Sequence, residues 1–142
     1  MLPIPVTNST LELELGEFKP AAGFPNPCEN FLSKPISLDS ILIERPSSTF
    51  LFTVSGNSMS PEITDGSIIV VDRSIPIKSG FIVLATINNE FVVKKLDISK
   101  EKILFKSTNP GYCDIEVNID PENSWEENTI WGVVTGAIKK FT

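Results

Sequence analysis

The sequence predicts a mostly-β domain with short helices, carried behind an extended N-terminal arm. Three features predict it. Six segments rich in Val, Ile and Phe are separated by Gly, Pro, Asn or Asp; an Asn88-Asn89 pair joins two of them; and six prolines crowd the first 36 residues. Those prolines are Pro3, Pro5, Pro20, Pro25, Pro27 and Pro35, and with Gly16 and Gly23 they exclude long helices, so residues 1–36 read as an arm. Within it Leu11, Leu13 and Leu15 alternate with Glu12 and Glu14, the period of a strand laid on an apolar surface.

From Ser37 onward the pattern tightens into one domain, residues 37–142. Ser37-Leu38-Asp39 can cap a short helix through Ile43, and Pro46 follows where that helix must have ended. The six strand segments are Phe50-Ser55, Ser67-Asp72, Phe81-Ile87, Glu90-Leu96, Lys102-Lys106 and Ile130-Ile138. Ile87 and Glu90 bracket Asn88-Asn89, residues that tolerate positive φ, so the third and fourth strands form a tight hairpin.

The 142 residues, 41% of them hydrophobic, suffice for one packed core. Lys+Arg 12 against Asp+Glu 18 leaves a net charge of -6, so the surrounding field repels phosphate backbones and direct nucleic-acid binding is not expected. Lys94-Lys95 and Lys139-Lys140 are the only adjacent basic pairs, too few for a phosphate-binding footprint. Two cysteines, Cys28 and Cys113, suit a reduced, cytoplasmic setting better than a disulfide framework. Met1 to Thr10 lacks the basic and apolar regions of a secretory signal, and no apolar run approaches the ~18 residues that span a bilayer. A soluble protein without membrane contact is expected.

The chain contains no histidine. That removes Ser-His-Asp and Cys-His catalysis and imidazole ligation of zinc, and no metal or cofactor is expected. A lysine or a carboxylate must move any proton that moves. The stretch from Ser55 to Gly66, Ser-Gly-Asn-Ser-Met-Ser-Pro-Glu-Ile-Thr-Asp-Gly, follows a strand and breaks it at Gly56. It is expected to restart as a helical turn, with Ser60 as cap and Pro61 at the first helical position. Ser58 then sits between a strand end and a helix start, where unpaired backbone N–H groups can face a developing oxyanion.

A nucleophilic serine needs a base. Lys94 follows 36 residues later, inside a strand whose alternation places Val92 and Lys94 on one face and Val93 and Lys95 on the other. One of the two lysines therefore aims at the core. A lysine is a base only when neutral, so its free pKa of about 10.4 must fall toward neutrality, which burial can supply at a cost of roughly 4–7 kcal/mol. A serine after a glycine is by itself more often a turn former, and a lysine in an apolar strand more often snorkels. The case rests on the two together.

At these residues a family resemblance becomes specific. Ser55-Gly56-Asn57-Ser58-Met59, Asp65-Gly66, the strand ending Val71-Asp72 and Glu90-Phe91-Val92-Val93-Lys94-Lys95-Leu96 resemble the LexA/UmuD family of self-cleaving serine peptidases. Upstream, Ala21-Ala22-Gly23-Phe24-Pro25 is similar to that family's cleavage site, with the scissile bond between Ala22 and Gly23. The likeness runs from about Ala21 to Val134 and implies a LexA/signal-peptidase-like β domain. It implies Ser58 as nucleophile, Lys94 as general base and the N–H groups of Asn57 and Ser58 as oxyanion donors. The 20-odd residues ahead of Ala22 cannot hold a helix-turn-helix domain, so the chain is similar to UmuD rather than to LexA. That branch implies a homodimer whose arm is cut under stimulation by a RecA filament. The processed form is then the accessory subunit of an error-prone Y-family translesion polymerase, with a UmuC-like catalytic subunit as partner, in the SOS response. Alanine before the glycine departs from the best-known UmuD, which has cysteine there, and matches LexA-type sites.

The arm fits the role of substrate on physical grounds too. Pro20 and Pro25 bias Lys19 and Phe24 toward extended backbone, the form in which proteases read substrates. A cleavable bond on the same chain or a dimer mate has a high effective concentration, so a weak dyad suffices. The alternative class is a dimeric, non-enzymatic adaptor that regulates a polymerase through its arm, and a signal-peptidase relative ranks below both for want of a membrane anchor. Asp65-Gly66 and Asp72-Arg73 read as turn residues without chemistry. Cys28 and Cys113 read as inert thiols for lack of an activating histidine. Trp125, Trp131 and Phe141 read as core or dimer contacts, and Glu126-Glu127 as solvated.

Overall fold

In a computed structural model, the structure describes residues 4–5, 13–16, 32–100, 102–118 and 130–142. The chain divides into two compact units, one of residues 7–44 and one of residues 1–6 with 45–142. In the smaller unit β2 (Leu13–Gly16) pairs antiparallel with β3 (Leu32–Ile36), and α1 (Leu38–Leu42) follows. The Ser37 hydroxyl accepts from the Asp39 backbone N–H at 3.2 Å, the cap expected for this helix, which ends one residue earlier than the sequence suggested.

The larger unit holds an antiparallel sheet. Its strands are β1 (Ile4–Pro5), β4 (Thr49–Thr53), β5 (Ile68–Asp72), β6 (Ile82–Ile87), β7 (Glu90–Ile98), β8 (Lys102–Lys106), β9 (Ile115–Asn118) and β10 (Ile130–Ile138). They lie in the order β1-β4-β5-β10-β6-β7-β8-β9. The mostly-β class is therefore correct. Asn88 and Asn89 sit at φ 52° and 65° and close the β6–β7 hairpin, as their tolerance of the left-handed region predicts. Strand β9 went unread because Ile115 and Val117 offer only two alternating apolar positions before a polar stretch.

The central strands are covered on both faces, and alternation sorts their side chains into two clusters. Leu84 and Val93 join Phe52, Val54, Met59, Ile63, Ile69 and Val71 in one; Val83 and Ala85 join Leu96, Ile103, Phe105, Ile130 and Val133 in the other. Trp131 belongs at the edge of the first, with its ring centroid 5.1 Å from Phe52 and 5.2 Å from Phe50. The Arg73 guanidinium lies 4.3 Å above that ring, and its Nε donates to the Trp131 carbonyl. Phe141 is 88% exposed, so it is no core residue: it follows the end of β10, past the last ladder pair. Cys113 is an exposed free thiol, while Cys28, Trp125 and Glu126-Glu127 lie outside the described residues.

Candidate functional site

The loop 55–66 connects neighbouring strands β4 and β5 and is cinched at its base. Val54 N–H donates to the Ser67 carbonyl and Gly66 N–H to the Val54 carbonyl, both at 2.8 Å. Two side chains brace it from within: Asp65 Oδ1 accepts from Gly56 N–H at 2.7 Å, and Asn57 Oδ1 accepts from Asp65 N–H at 3.1 Å. Asp65 therefore holds the serine loop together. Gly56 and Gly66 stand at φ +93° and +83°, backbone that a side chain would strain.

The expected helical turn forms and goes no further. One turn closes, with Ser60 N–H on the Asn57 carbonyl at 3.1 Å and Ile63 N–H on the Met59 carbonyl at 2.9 Å. The positive φ of Gly66 then turns the chain into β5 before a second turn can add. The consequence expected for Ser58 survives nonetheless. Among the described residues, neither the Asn57 nor the Ser58 N–H donates to another protein group. The next residue, Met59, is 2% exposed and packs with Phe52, Val54 and Ile63, so it anchors a half-buried Ser58 to the core.

Lys94 lies in the middle of β7, between Val83 of β6 and the continuation of β8. It is 6% exposed whereas Lys95 is exposed, which settles which of the two lysines is buried. Its Nζ donates to Ser107 Oγ at 2.9 Å and lies 6.0 Å from the centroid of the Tyr112 ring. Burial pushes the ammonium below its ordinary pKa, because a cation loses its hydration there, and the Asp114 carboxylate opposes that shift by attraction. Ser58 and Lys94 line one cleft of about 80 Å³, walled by Val54, Met59, Phe91 and Val93. A hydroxyl and a buried amine thus open into the same small cleft.

Three residues of the loop 107–114 escaped the sequence reading. Ser107 faces Lys94 because the β7–β8 register, which pairs Ile98 with Ile103 and Lys95 with Lys106, continues to that pair. Asp114 Oδ1 accepts from the Ser107 N–H at 3.4 Å, and Asn109 reaches the serine loop. Only the β7–β8 register, which sequence alone leaves open, could have pointed to the first of them.

Comparison with known proteins supplies the family. The profile of the family described as Peptidase S24-like matches residues 15–135. The chain belongs to that family. The S24-like chain is 40% identical to Protein MucA of Salmonella typhimurium over 120 residues, which are 83% of this chain and 78% of MucA. It is 35% identical to Protein SamA of Salmonella typhimurium strain LT2 over 120 residues, 84% of this chain and 79% of SamA. The LexA repressor of Xylella fastidiosa strain M12 is 38% identical over 103 residues, 72% of this chain and 48% of the repressor. These likenesses place the chain among the UmuD-like members of the LexA/UmuD family. Ala22 and Gly23 fall within the matched stretch of the S24-like profile and outside the described residues. No described helix is long and apolar enough to cross a membrane.

The position of Asp114 yields a pH prediction. Its carboxylate stabilises the Lys94 ammonium, so Asp114→Asn lowers the pKa of Lys94 further and enlarges the neutral fraction at a given pH below the midpoint. Asp114 is exposed and screened, so the gain amounts to about 0.2–1 kcal/mol, or roughly 1.4- to 5-fold in neutral amine. The pH profile of any Lys94-dependent reaction should move to lower pH in this variant. An upward move would contradict the sign.

Proposed function

We propose that this chain is a serine endopeptidase acting mainly on itself, with Ser58 and Lys94 as its dyad and Ala22-Gly23 as its cleavage site. The observation that carries the reading is that Ser58 and a buried Lys94, its pKa lowered by that burial, line one cleft. Ser58 Oγ attacks the Ala22 carbonyl carbon and its proton passes to the neutral Lys94 Nζ. The oxyanion accepts from the N–H groups of Asn57 and Ser58, which are free to donate. On collapse the Ala22–Gly23 bond breaks, and Lys94 returns the proton to the departing Gly23 amine. Water, deprotonated by Lys94, then releases Ala22 from Ser58. The small side chain of Ala22 suits a cleft of this size.

In this reading residues 1–36 are the arm that carries the site and residues 37–142 are the peptidase domain. Membership of the UmuD-like branch supports the biology: a cytoplasmic homodimer, stimulated by a RecA filament, whose processed form serves an error-prone Y-family polymerase in the SOS response. Prolonged incubation at alkaline pH, where Lys94 loses its proton without help, is expected to release Gly23–Thr142, seen by mass spectrometry. A chain that stays whole would contradict the peptidase role. The adaptor alternative is separated by a chain lacking residues 1–22 and carrying Ser58→Ala. Support of damage-induced mutagenesis by that chain shows that after processing only the subunit role counts.

A further inference from the structure

The serine loop is held from outside chiefly by Asn109, 52 positions away in sequence, beside a weak bond from Thr108 Oγ1 to Met59 Sδ. Its Nδ2 donates to the Asn57 carbonyl at 2.9 Å, its backbone N–H donates to the Ser58 carbonyl at 3.0 Å, and its Oδ1 accepts from the Gly111 N–H at 3.0 Å. The bonds at both ends of the amide settle which atom is nitrogen and which is oxygen. Asn109 thus grips two consecutive carbonyls with two donors.

In a trans peptide the C=O and N–H point in opposite directions. Holding the Asn57 carbonyl toward Asn109 therefore aims the Ser58 N–H the other way. The Asn57 carbonyl also accepts from the Ser60 N–H, so two donors fix the plane of that peptide. Inside the loop, by contrast, the braces from Asp65 and Asn57 secure Gly56 and Asp65 rather than the Asn57–Ser58 peptide. An oxyanion donor contributes most when its direction is set before charge develops.

We propose that Asn109 is a positioning residue that presets the Asn57–Ser58 peptide as an oxyanion donor, a role that rests on the peptidase reading above. It touches no reacting atom and acts through the carbonyls of Asn57 and Ser58. Loop 107–114 thereby serves both halves of the dyad, Ser107 holding the amine and Asn109 the peptide at the nucleophile.

Two variants test it in the full chain. Asn109→Asp preserves shape, the Gly111 bond and the backbone bond to Ser58, and replaces the Nδ2 donor by a negatively charged carboxylate oxygen; Asn109→Ala removes the whole amide without adding charge. The first readout is the rate of Gly23–Thr142 release against pH. Both variants should lower the rate on the alkaline plateau about 10- to 100-fold, and Asn109→Ala, which changes no charge, should leave the midpoint where it is. General destabilisation of the domain would not produce that split. The second readout needs no cleavage: in Ser58→Ala, the order parameter of the amide at position 58 should fall from about 0.85 toward 0.6 when Asn109→Ala is added. An unchanged order parameter, or a plateau rate equal to that of the parent chain, overturns the proposal. Should the parent chain fail to cut at all, the peptidase reading falls while the order parameter still decides whether Asn109 holds the peptide.

Discussion

Replacing Ser58 by Ala, or Lys94 by Arg, is expected to leave the chain whole under alkaline conditions that convert the unaltered protein to Gly23–Thr142. Each change should lower the first-order rate by about 10³-fold or more, since loss of a nucleophile or its base removes the covalent route and leaves only background hydrolysis. The arginine variant is the more instructive of the two. It keeps a long cationic side chain, yet a guanidinium with a pKa above about 12 cannot take the serine proton. Cleavage by Lys94→Arg at the normal rate would exclude Lys94 as base while leaving the fold untouched.

The second large effect concerns the core cluster that backs the cleft walls Met59 and Phe91. Phe52 is 0% exposed and packs with Met59, Phe91, Val93 and Trp131, its ring 5.7 Å from that of Phe91 and 5.1 Å from that of Trp131. Phe52→Ala should cost about 3–5 kcal/mol through lost burial and the cavity left behind, a fall of about 10–20 °C in Tm. Phe52→Leu, which keeps most of the volume, should cost less than about 1.5 kcal/mol. Because Met59 and Phe91 also wall the cleft, the alanine variant should cleave more slowly even where it is still folded. A Tm within a degree or two of the parent would show that this cluster is not the core of the larger unit.

Much of this architecture was legible in the sequence because local chemistry dictated it. Asn88-Asn89 demanded a tight hairpin, Ser37 announced its helix, and the absence of histidine narrowed the candidate bases to lysine and carboxylates. Ser58 and Lys94 stood out through local signals, a glycine-broken strand end and a lysine in an apolar strand, and the structure brings both to one cleft. What escaped were consequences of register and close packing. Ser107 and Asn109 are ordinary loop residues until β8 pairs with β7 and the loop beyond it folds over Asn57. The helical turn foreseen at Ser60 stops after one turn, where the Asp65-Gly66 turn, itself recognised, reverses the chain.

The pH dependence follows from the direction of the Lys94 shift. With its folded pKa below the unfolded value, the unfolded chain binds more protons in the window between them, so this residue's penalty on stability is full below the folded pKa and is relieved as pH rises through the window.

The most direct test is an NMR titration of the Lys94 side-chain amine in the intact Ser58→Ala chain, which keeps the arm attached by preventing cutting. The account predicts a midpoint below the ordinary value of about 10.4 for a free lysine, lower again with Asp114→Asn. A midpoint at or above that value would mean the amine stays cationic in the cleft, and Lys94 could not be the base.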